Sequence, residues 1–334
     1  MRIVIIGAGA IGGIAGGYLC KSGRDVHLID NNPEVVRKIN RDGLEITSHS
    51  GRFNIKIQAS ESIANFPWKP DYFILLCVKT QYSREAIDQA ADAAGNETPI
   101  CCFQNTVQNE VMASQRFKYV YGGTVLYSGN NLAPGKIFHT EGNRVGVGVF
   151  PSGPADDKLQ SLVQQFKDTG IELYYVDDLM KSKYTKLLMN MTNAPCAILG
   201  LTEPELMNLT EPRQLLGELL LESKCVLDAA GIKYNEGPLA HKPPDVNAIP
   251  KNVPEGLEVI CSTHQDLILR RRSTEVDYLN GELVTLGKRY GVPTPINELM
   301  VKLVHEMGER GELPGKYSMS DIRNMLSEGK RKGS

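Results

Sequence analysis

Short apolar runs alternating with helix-period segments dominate the first half of the chain. Arg2–Ile6 is an Ile/Val-rich run, the reading for a buried parallel strand. A glycine-rich turn follows, then a helix from about Gly9 to Ser22. Val26–Ile29 makes a second strand, which Asp30 ends. Pro33, after Asn31 and Asn32, opens a helix that runs to about Arg41. Leu44–Thr47 and Phe53–Ile57 read as two short strands around the polar turn SHSGR. Asp71–Val78 is the next buried strand, and it ends in Lys79-Thr80-Gln81. Ser83–Ala94 reads as a helix with Ser83 as its N-cap. Pro99–Phe103 is a further strand, ending in Gln104-Asn105-Thr106. Tyr119–Tyr127 and Lys136–Phe150 carry strand signals on either side of Pro134-Gly135. Helix Asp156–Thr169 and strand Glu172–Val176 close this half.

From Asp178 onward the pattern is helical in period. Met180–Leu199, Arg213–Ala230, Leu257–Leu269, Glu275–Tyr290 and Pro295–Arg310 are the expected helices. A Pro-rich stretch at 237–256 reads as an ordered loop or a short extended linker. The basic tail GKRKGS reads as a frayed, solvated end. The expectation is an α/β Rossmann domain with a parallel sheet over residues 1–176, then an all-helical domain over 177–334.

The first turn carries the clearest chemistry. Gly7, Gly9 and Gly12 fall at the spacing G-x-G-x-x-G, between a strand and a helix. Gly7 permits the tight turn, Gly9 lets the backbone approach a pyrophosphate, and Gly12 lets helix and strand pack closely. The helix then aims its free N–H groups and positive dipole end at the anion. Gly7, Ala8, Gly9, Ala10, Ile11 and Gly12 are the cofactor-binding candidates, with Asp30 and Asn31 at the end of the second strand. Lys79 and Asn105 lie at C-terminal strand ends, where a parallel sheet places its ligands.

In the second half, Lys186, Asn190 and Asn193 recur at i, i+4 and i+7, one face of a helix. They suit a polar cluster facing a cleft. The other reading has Lys186 snorkelling to solvent and the asparagines bonding to backbone. Ser262 begins or caps a helix, and Glu275 complements a helix dipole or serves a site. Arg270 to Arg272 read as a solvated loop. His27, His49, His139, His241, His264 and His305 show no metal spacing and read as structural or surface residues.

Bulk properties narrow the class. A chain of 334 residues calls for about two domains. A formal net charge of −2 gives no general attraction to nucleic acid or membranes. No apolar run approaches the ~20 residues of a membrane span. Seven scattered cysteines without a C-x-x-C pair fit reduced thiols in a cytoplasm. A cleaved leader is not expected, because its removal would destroy the first strand.

Several motifs in order make the chain resemble the ketopantoate reductases (2-dehydropantoate 2-reductases), nearly end to end. They are GAGAIG at Gly7 to Gly12, VKT at Val78 to Thr80, and QN at Gln104-Asn105. PGKIFH, KLLMN at Lys186 to Asn190, and STEVDYLNG at Ser273 to Gly281 complete the set. The resemblance implies a Rossmann domain that binds the nicotinamide cofactor and a helical domain, like that of 6-phosphogluconate dehydrogenase, that closes a cleft over it. Lys186 matches the general acid that protonates the ketone oxygen as hydride arrives. Hydride addition generates an alkoxide, which needs a proton and a nearby positive charge. Asn190 matches a substrate hydroxyl-binding residue, and Ser262 one that holds the substrate carboxylate. Glu275 matches a carboxylate near the cofactor ribose and the lysine. Lys79 and Asn105 match the strand-end pair that touches cofactor and substrate.

Three positions depart from the family pattern. The second asparagine of the catalytic helix, which directly precedes the proline, is replaced by Ala194, so Asn193 takes over its part in substrate binding. The usual QNG reads Gln104-Asn105-Thr106. Many members carry an arginine after the second strand for a 2′-phosphate, where this chain has Asp30-Asn31. An aspartate accepts from a free ribose hydroxyl and repels a phosphate. The family implies NADPH, whereas these residues favour NADH, and both NADP and NAD are retained.

The expected activity is NAD(P)H-dependent reduction of 2-dehydropantoate to (R)-pantoate, in the route to pantothenate and coenzyme A. The alternative is an NADH-dependent D-2-hydroxyacid dehydrogenase acting on bulkier keto acids. A cofactor-binding regulator without turnover ranks last, because a pure binder has no need of Lys186. The expected partner is a small 2-keto acid, with no nucleic acid and no membrane. A homodimer is left open, and the expected location is the cytoplasm.

Overall fold

The computed structural model describes residues 1–236 and 256–332. The expectation for the Pro-rich stretch therefore lies outside the described residues, apart from Gly256. The described residues form two compact units, one from 1–183 with 256–258, the other from 184–236 with 259–332.

The first unit is built on strand β1 (Arg2–Ile6), whose alternate residues feed two different cores. Ile3 and Ile5 point to one face, Val4 and Ile6 to the other, the period-2 consequence of the strand pleat. Helix α1 (Ala10–Lys21) leads to β2 (Val26–Ile29), and α2 (Pro33–Asp42) leads to β3 (Leu44–Ser48), β4 (Gly51–Ile55) and β5 (Gln58–Ser60). Next come β6 (Tyr72–Leu76), α3 (Ser83–Ala94), β7 (Ile100–Cys102), α4 (Asn109–Ser114), β8 (Val120–Ala133) and β9 (Lys136–Val149). Helix α5 (Asp157–Phe166) and β10 (Glu172–Tyr175) complete it.

The strands form one sheet in the order β4-β3-β9-β8-β7-β6-β1-β2-β5, with β10 beside β9. Its heart, β5-β2-β1-β6-β7-β8, is parallel, as expected. The sheet as a whole is mixed, because β8–β9 and β3–β4 are antiparallel hairpins. Short connections allow nothing else, since a parallel return needs a crossover of a dozen residues or more. Ile14, Ala15 and Leu19 of α1 cover one face of the sheet, and Ala86, Ile87 and Ala90 of α3 cover the other. Each fully buried aliphatic side chain contributes about 1.5–3 kcal/mol relative to exposure.

Several local expectations need correction. Ser83 is not the cap of α3; Tyr82 holds that position, and the Ser83 hydroxyl donates to Asn109 Oδ1 at 2.7 Å. The strand expected at Phe53–Ile57 is Gly51–Ile55, in antiparallel register with β3 from Ser48↔Gly51 onward. Strand β5 went unpredicted, because QAS is three residues long and has no apolar run. Helix α4 was too short to give a periodic signal.

The second unit begins within α6 (Leu179–Met189), so the change of unit falls inside a helix. A 3-10 turn (Asn190–Thr192) and α7 (Asn193–Leu199) follow. The sequence pattern reads this stretch as one helix; Pro195 breaks it. Proline has no N–H to reach the carbonyl of Met191 and its ring crowds that carbonyl, so a new helix starts with Pro195 in its first turn. Helix α8 (Glu203–Asn208) is capped by a reciprocal Thr202–Glu205 box, and α9 (Thr210–Ala229) follows. Helix α10 (Ser262–Ile268) is shorter than expected, and the segment from Glu275 divides into a 3-10 turn (Glu275–Tyr278) and α11 (Asn280–Tyr290). Helix α12 (Pro295–Arg310) has the expected bounds. Leu215, Leu219 and Val226 of α9 are buried, as are Leu283 of α11 and Met300, Leu303 and Met307 of α12, and these helices pack together. Helix α13 (Met319–Lys332) carries the chain through most of the expected frayed tail. Its Ile322 is fully buried and Arg323 pairs with Glu218 of α9 at 2.5 Å, which explains its order. No helix among the described residues is long and apolar enough to cross a membrane.

Candidate active site

The C-terminal ends of β1, β2, β6 and β7 carry the candidates of the first unit. Gly7 has φ +104°, and a Cβ there would lie 2.8 Å from the Cys77 carbonyl carbon and the Val78 nitrogen. A Cβ at Gly12 would lie 2.0 Å from the Gly7 carbonyl oxygen. Nothing lies within 4 Å of a Cβ built at Gly9, so this residue faces open space. No side chain caps α1, and its first turn holds no acid. The turn therefore offers uncapped N–H groups and a positive helix end beside an open backbone, which fits a pyrophosphate.

Asp30 is bound into this turn. Its Oδ2 accepts from the Ala8 N–H at 2.8 Å, and its Oδ1 accepts from the Asn32 N–H at 3.0 Å. Asn32 in turn caps α2 by accepting from the Glu34 N–H. Asp30 thus holds the glycine turn to the end of β2, a structural role the sequence did not reveal. Each carboxylate oxygen keeps a second acceptor position for a ribose hydroxyl. Asn31 is exposed beside it.

Lys79 and Asn105 follow the neighbouring strands β6 and β7, and both are half-buried. A buried polar network joins their loops. Gln104 Nε2 donates to the Val78 carbonyl and to Ser83 Oγ. The Asn109 Nδ2 donates to Thr106 Oγ1 at 2.9 Å and to the Asn105 carbonyl at 3.0 Å. Thr106 Oγ1 also bonds Thr80 Oγ1 at 3.0 Å. Thr106 is 3% exposed and adopts φ +73°, a left-handed conformation that β-branched residues rarely take. Here the chain keeps a threonine where its resemblance to the ketopantoate reductases called for glycine.

The network continues to a buried ion pair. Lys183 Nζ lies 2.7 Å from Glu110 Oε1, with side chains 2% and 0% exposed, and donates to the Gln104 carbonyl at 2.9 Å. Burial pushes the Glu110 carboxyl up, and the lysine ammonium opposes that shift. Sequence reasoning passed over Asn109, Glu110 and Lys183. The only available signals were the N-E pair after QNTVQ and a second lysine one helical turn before Lys186.

The second unit holds the other candidates. Lys186 is half-buried in the last turn of α6, beside Leu187 and Leu188, each 1% exposed. Asn190 is buried in the 3-10 turn that follows, and its Nδ2 has no hydrogen-bond partner among the described residues. Ser262 is the first residue of α10, and its buried Oγ likewise has no partner among them. Asn193 is buried at the start of α7, and its carbonyl accepts from Cys261 Sγ at 3.3 Å. That contact brings the start of α10 to the α7 segment. The 3-10 turn rotates Asn193 by about 60° from its place on an unbroken α-helix, since three residues advance at 3.0 rather than 3.6 per turn. Glu275 is 5% exposed and opens a separate 3-10 turn ahead of α11. Asn280, at the start of α11, reaches Met191 Sδ at 3.5 Å and so ties that segment to the 190–192 turn.

Comparison with known proteins gives a consistent picture. The family model described as "Ketopantoate reductase PanE/ApbA" matches residues 3–152, and its C-terminal counterpart matches residues 178–308. A 2-dehydropantoate 2-reductase of Aquifex aeolicus is 27% identical over 317 residues, covering 91% of this chain and 96% of the relative. A crystal structure of a PanE/ApbA family ketopantoate reductase from Ralstonia eutropha JMP134 superposes with a TM-score of 0.79 at 25% identity, covering 93% of this chain and 99% of the other. The ternary structure of D-mandelate dehydrogenase with NADH and anilino(oxo)acetate superposes with a TM-score of 0.81, also at 25% identity, over 93% and 99%.

Proposed function

Because the chain belongs to the ketopantoate reductase family, we propose that it reduces 2-dehydropantoate to (R)-pantoate with a nicotinamide cofactor. One observation carries the assignment of the site: the orphaned, buried Asn190 Nδ2 and Ser262 Oγ, near Lys186 in sequence and on α10. A buried polar group without a partner costs about 1–3 kcal/mol. A 2-keto acid relieves that cost by accepting both hydrogen bonds, through its hydroxyl or ketone oxygen and its carboxylate.

A nicotinamide held by these residues would supply the hydride that adds to the ketone carbon. The Lys186 ammonium donates a proton to the ketone oxygen and stabilises the negative charge that develops there. Water returns the proton to Lys186 after product leaves. Asn190 Nδ2 donates to the substrate oxygen, Ser262 Oγ donates to its carboxylate, and Asn193 extends the polar stripe. Glu275 accepts from a ribose hydroxyl. Gly7 to Gly12 receive the pyrophosphate, Asp30 and Asn31 the adenosine ribose, and Lys79 and Asn105 the nicotinamide half and the substrate.

Asp30 favours a second reading within the same chemistry: an NADH-dependent D-2-hydroxyacid dehydrogenase for a bulkier keto acid. The likeness to D-mandelate dehydrogenase with NADH supports it. In both readings the substrate is a small molecule. The seven cysteines are all free thiols, which supports a reducing compartment such as the cytoplasm.

Purified protein assayed with NADH and NADPH against ketopantoate and a panel of branched and aryl 2-keto acids separates these readings. Ketopantoate is expected to give the highest kcat/KM. An aryl keto acid preferred by ~100-fold, equal to ~2.7 kcal/mol, would establish the second reading instead. No turnover of any keto acid would refute both.

A further inference from the structure

The Lys183–Glu110 pair has no part in the chemistry just described, yet it is among the most deeply buried groups in the first unit. Both side chains are essentially inaccessible and 2.7 Å apart. The fold makes room for them: a Cβ at Gly122 would lie 2.5 Å from Glu110 Oε1. Removing two charges from water costs several kcal/mol per ion, and well-packed apolar residues of similar volume are often as stable or more so. Stability alone therefore gives a weak reason for the pair. What an apolar pair would not supply is the donor at the Gln104 carbonyl, 2.9 Å from Lys183 Nζ.

That carbonyl belongs to the peptide joining Gln104 to Asn105. The peptide is planar and trans, so fixing its oxygen also fixes the direction of the Asn105 N–H. The following carbonyl, that of Asn105, is held by Asn109 Nδ2 at 3.0 Å. Both peptide planes flanking Asn105 are thus clamped, and its side chain is left half-exposed at the end of β7. Without the Lys183 contact, the first of these planes loses the donor that fixes its carbonyl.

We propose that Lys183 is a positioning residue that orients Asn105 through the Gln104 carbonyl, with Glu110 holding the Lys183 side chain in place. The proposal rests on the reading above that Asn105 meets cofactor and substrate. Glu110 serves Lys183, and Lys183 serves the peptide.

The test replaces the pair while sparing the fold. Lys183→Met alone strands a buried carboxylate, so the double variants Lys183→Met/Glu110→Met and Lys183→Met/Glu110→Gln are used. Each should unfold within a few degrees of wild type. In each, kcat/KM should fall about tenfold or more, because small misplacement of a positioning group costs up to ~100-fold. The pH profile of kcat should keep its shape, since Lys186 is untouched. Glu110→Gln alone keeps an acceptor for Lys183 but removes its buried counter-charge, so it should lose stability and lower kcat/KM by less than either double. A folded double variant with wild-type kcat and KM overturns the proposal. Titration of nicotinamide fluorescence measures the NADH and NADPH dissociation constants separately. If wild type turns over no keto acid, the functional reading fails, and these constants still decide the role of Lys183.

Discussion

Thr106 is the position where the structure makes the sharpest energetic prediction. Its φ of +73° is a conformation in which a Cβ meets the following carbonyl, at about 1–2 kcal/mol for an L-residue. Two buried hydrogen bonds, to Thr80 Oγ1 at 3.0 Å and from Asn109 Nδ2 at 2.9 Å, hold it there. Each is worth about 1 kcal/mol net. Thr106→Ala loses both bonds and a methyl group but keeps the strained Cβ, so it should cost about 3 kcal/mol. Thr106→Gly loses the same groups and releases the strain, at a small cost in chain entropy, so it should cost about 1–2 kcal/mol. Glycine should therefore be the more stable by about 1 kcal/mol, whereas at an ordinary position alanine leads by about 0.4–1. Thr106→Ser keeps the hydroxyl and should stay within about 1 kcal/mol of wild type. Thr106→Val keeps shape and strain but turns a methyl toward the Asn109 amide, and should lose about 2–4 kcal/mol. Urea unfolding at constant m-value reads these differences, with 1 kcal/mol worth about 2–4 °C in Tm for a domain of this size. An alanine variant as stable as the glycine variant would refute the strain. A valine variant as stable as wild type would refute the hydroxyl network.

Two further outcomes follow from other parts of the fold. Asp30→Asn keeps an acceptor for the Ala8 N–H but removes the charge that, in the proposed cofactor site, would face a 2′-phosphate. At about 4 Å in a wet site that charge is worth ~1 kcal/mol per unit of phosphate charge, and a phosphate carries about 1.5 to 2 such units, so the NADH:NADPH ratio of kcat/KM should fall about 13- to 30-fold. Steady-state kinetics with both cofactors check this, and an unchanged ratio contradicts the role of Asp30 in cofactor choice. His27, buried on β2 and bonded to Ser60 Oγ at 2.7 Å, is pushed down to about 4 by burial, with Arg2 adding to the effect. The neutral ring is the folded form, so its stability is complete above the unfolded value of 6.5 and is lost as pH falls from 6.5 to about 4. That gap corresponds to roughly 3 kcal/mol, and solvent screening brings it to about 2. Urea unfolding of wild type and His27→Gln at pH 7 and pH 4 should show that much less acid loss in the variant; equal slopes contradict it.

The parts of this fold that were legible in the sequence are those set by local patterning. β1, α1 and β2 announce themselves because buried parallel strands are continuous apolar runs and the glycine turn must stand between them. The bounds of α3 and α12 were readable from helical period, and Pro295 marks the start of α12. Helical period alone runs the Lys186 helix through to Leu199, whereas Pro195 turns the chain through a 3-10 segment into a second helix. What sequence could not show are contacts between distant residues. Asp30 reads as a free ribose ligand until its bonds to Ala8 and Asn32 are seen. Ser83 reads as a cap until Asn109 claims its hydroxyl. Lys183 and Glu110, with β8, β9 and β10 between them in the chain, carry no signal as a pair, because only the folded chain brings them together.

The central claim is that this chain transfers hydride to a 2-keto acid with Lys186 as the proton donor. The most direct measurement is nicotinamide oxidation by wild type and Lys186→Ala with the best keto acid, alongside cofactor titration of both. The account predicts a fall in kcat of ~10² or more with cofactor affinity retained. An alanine enzyme with unchanged kcat would contradict it.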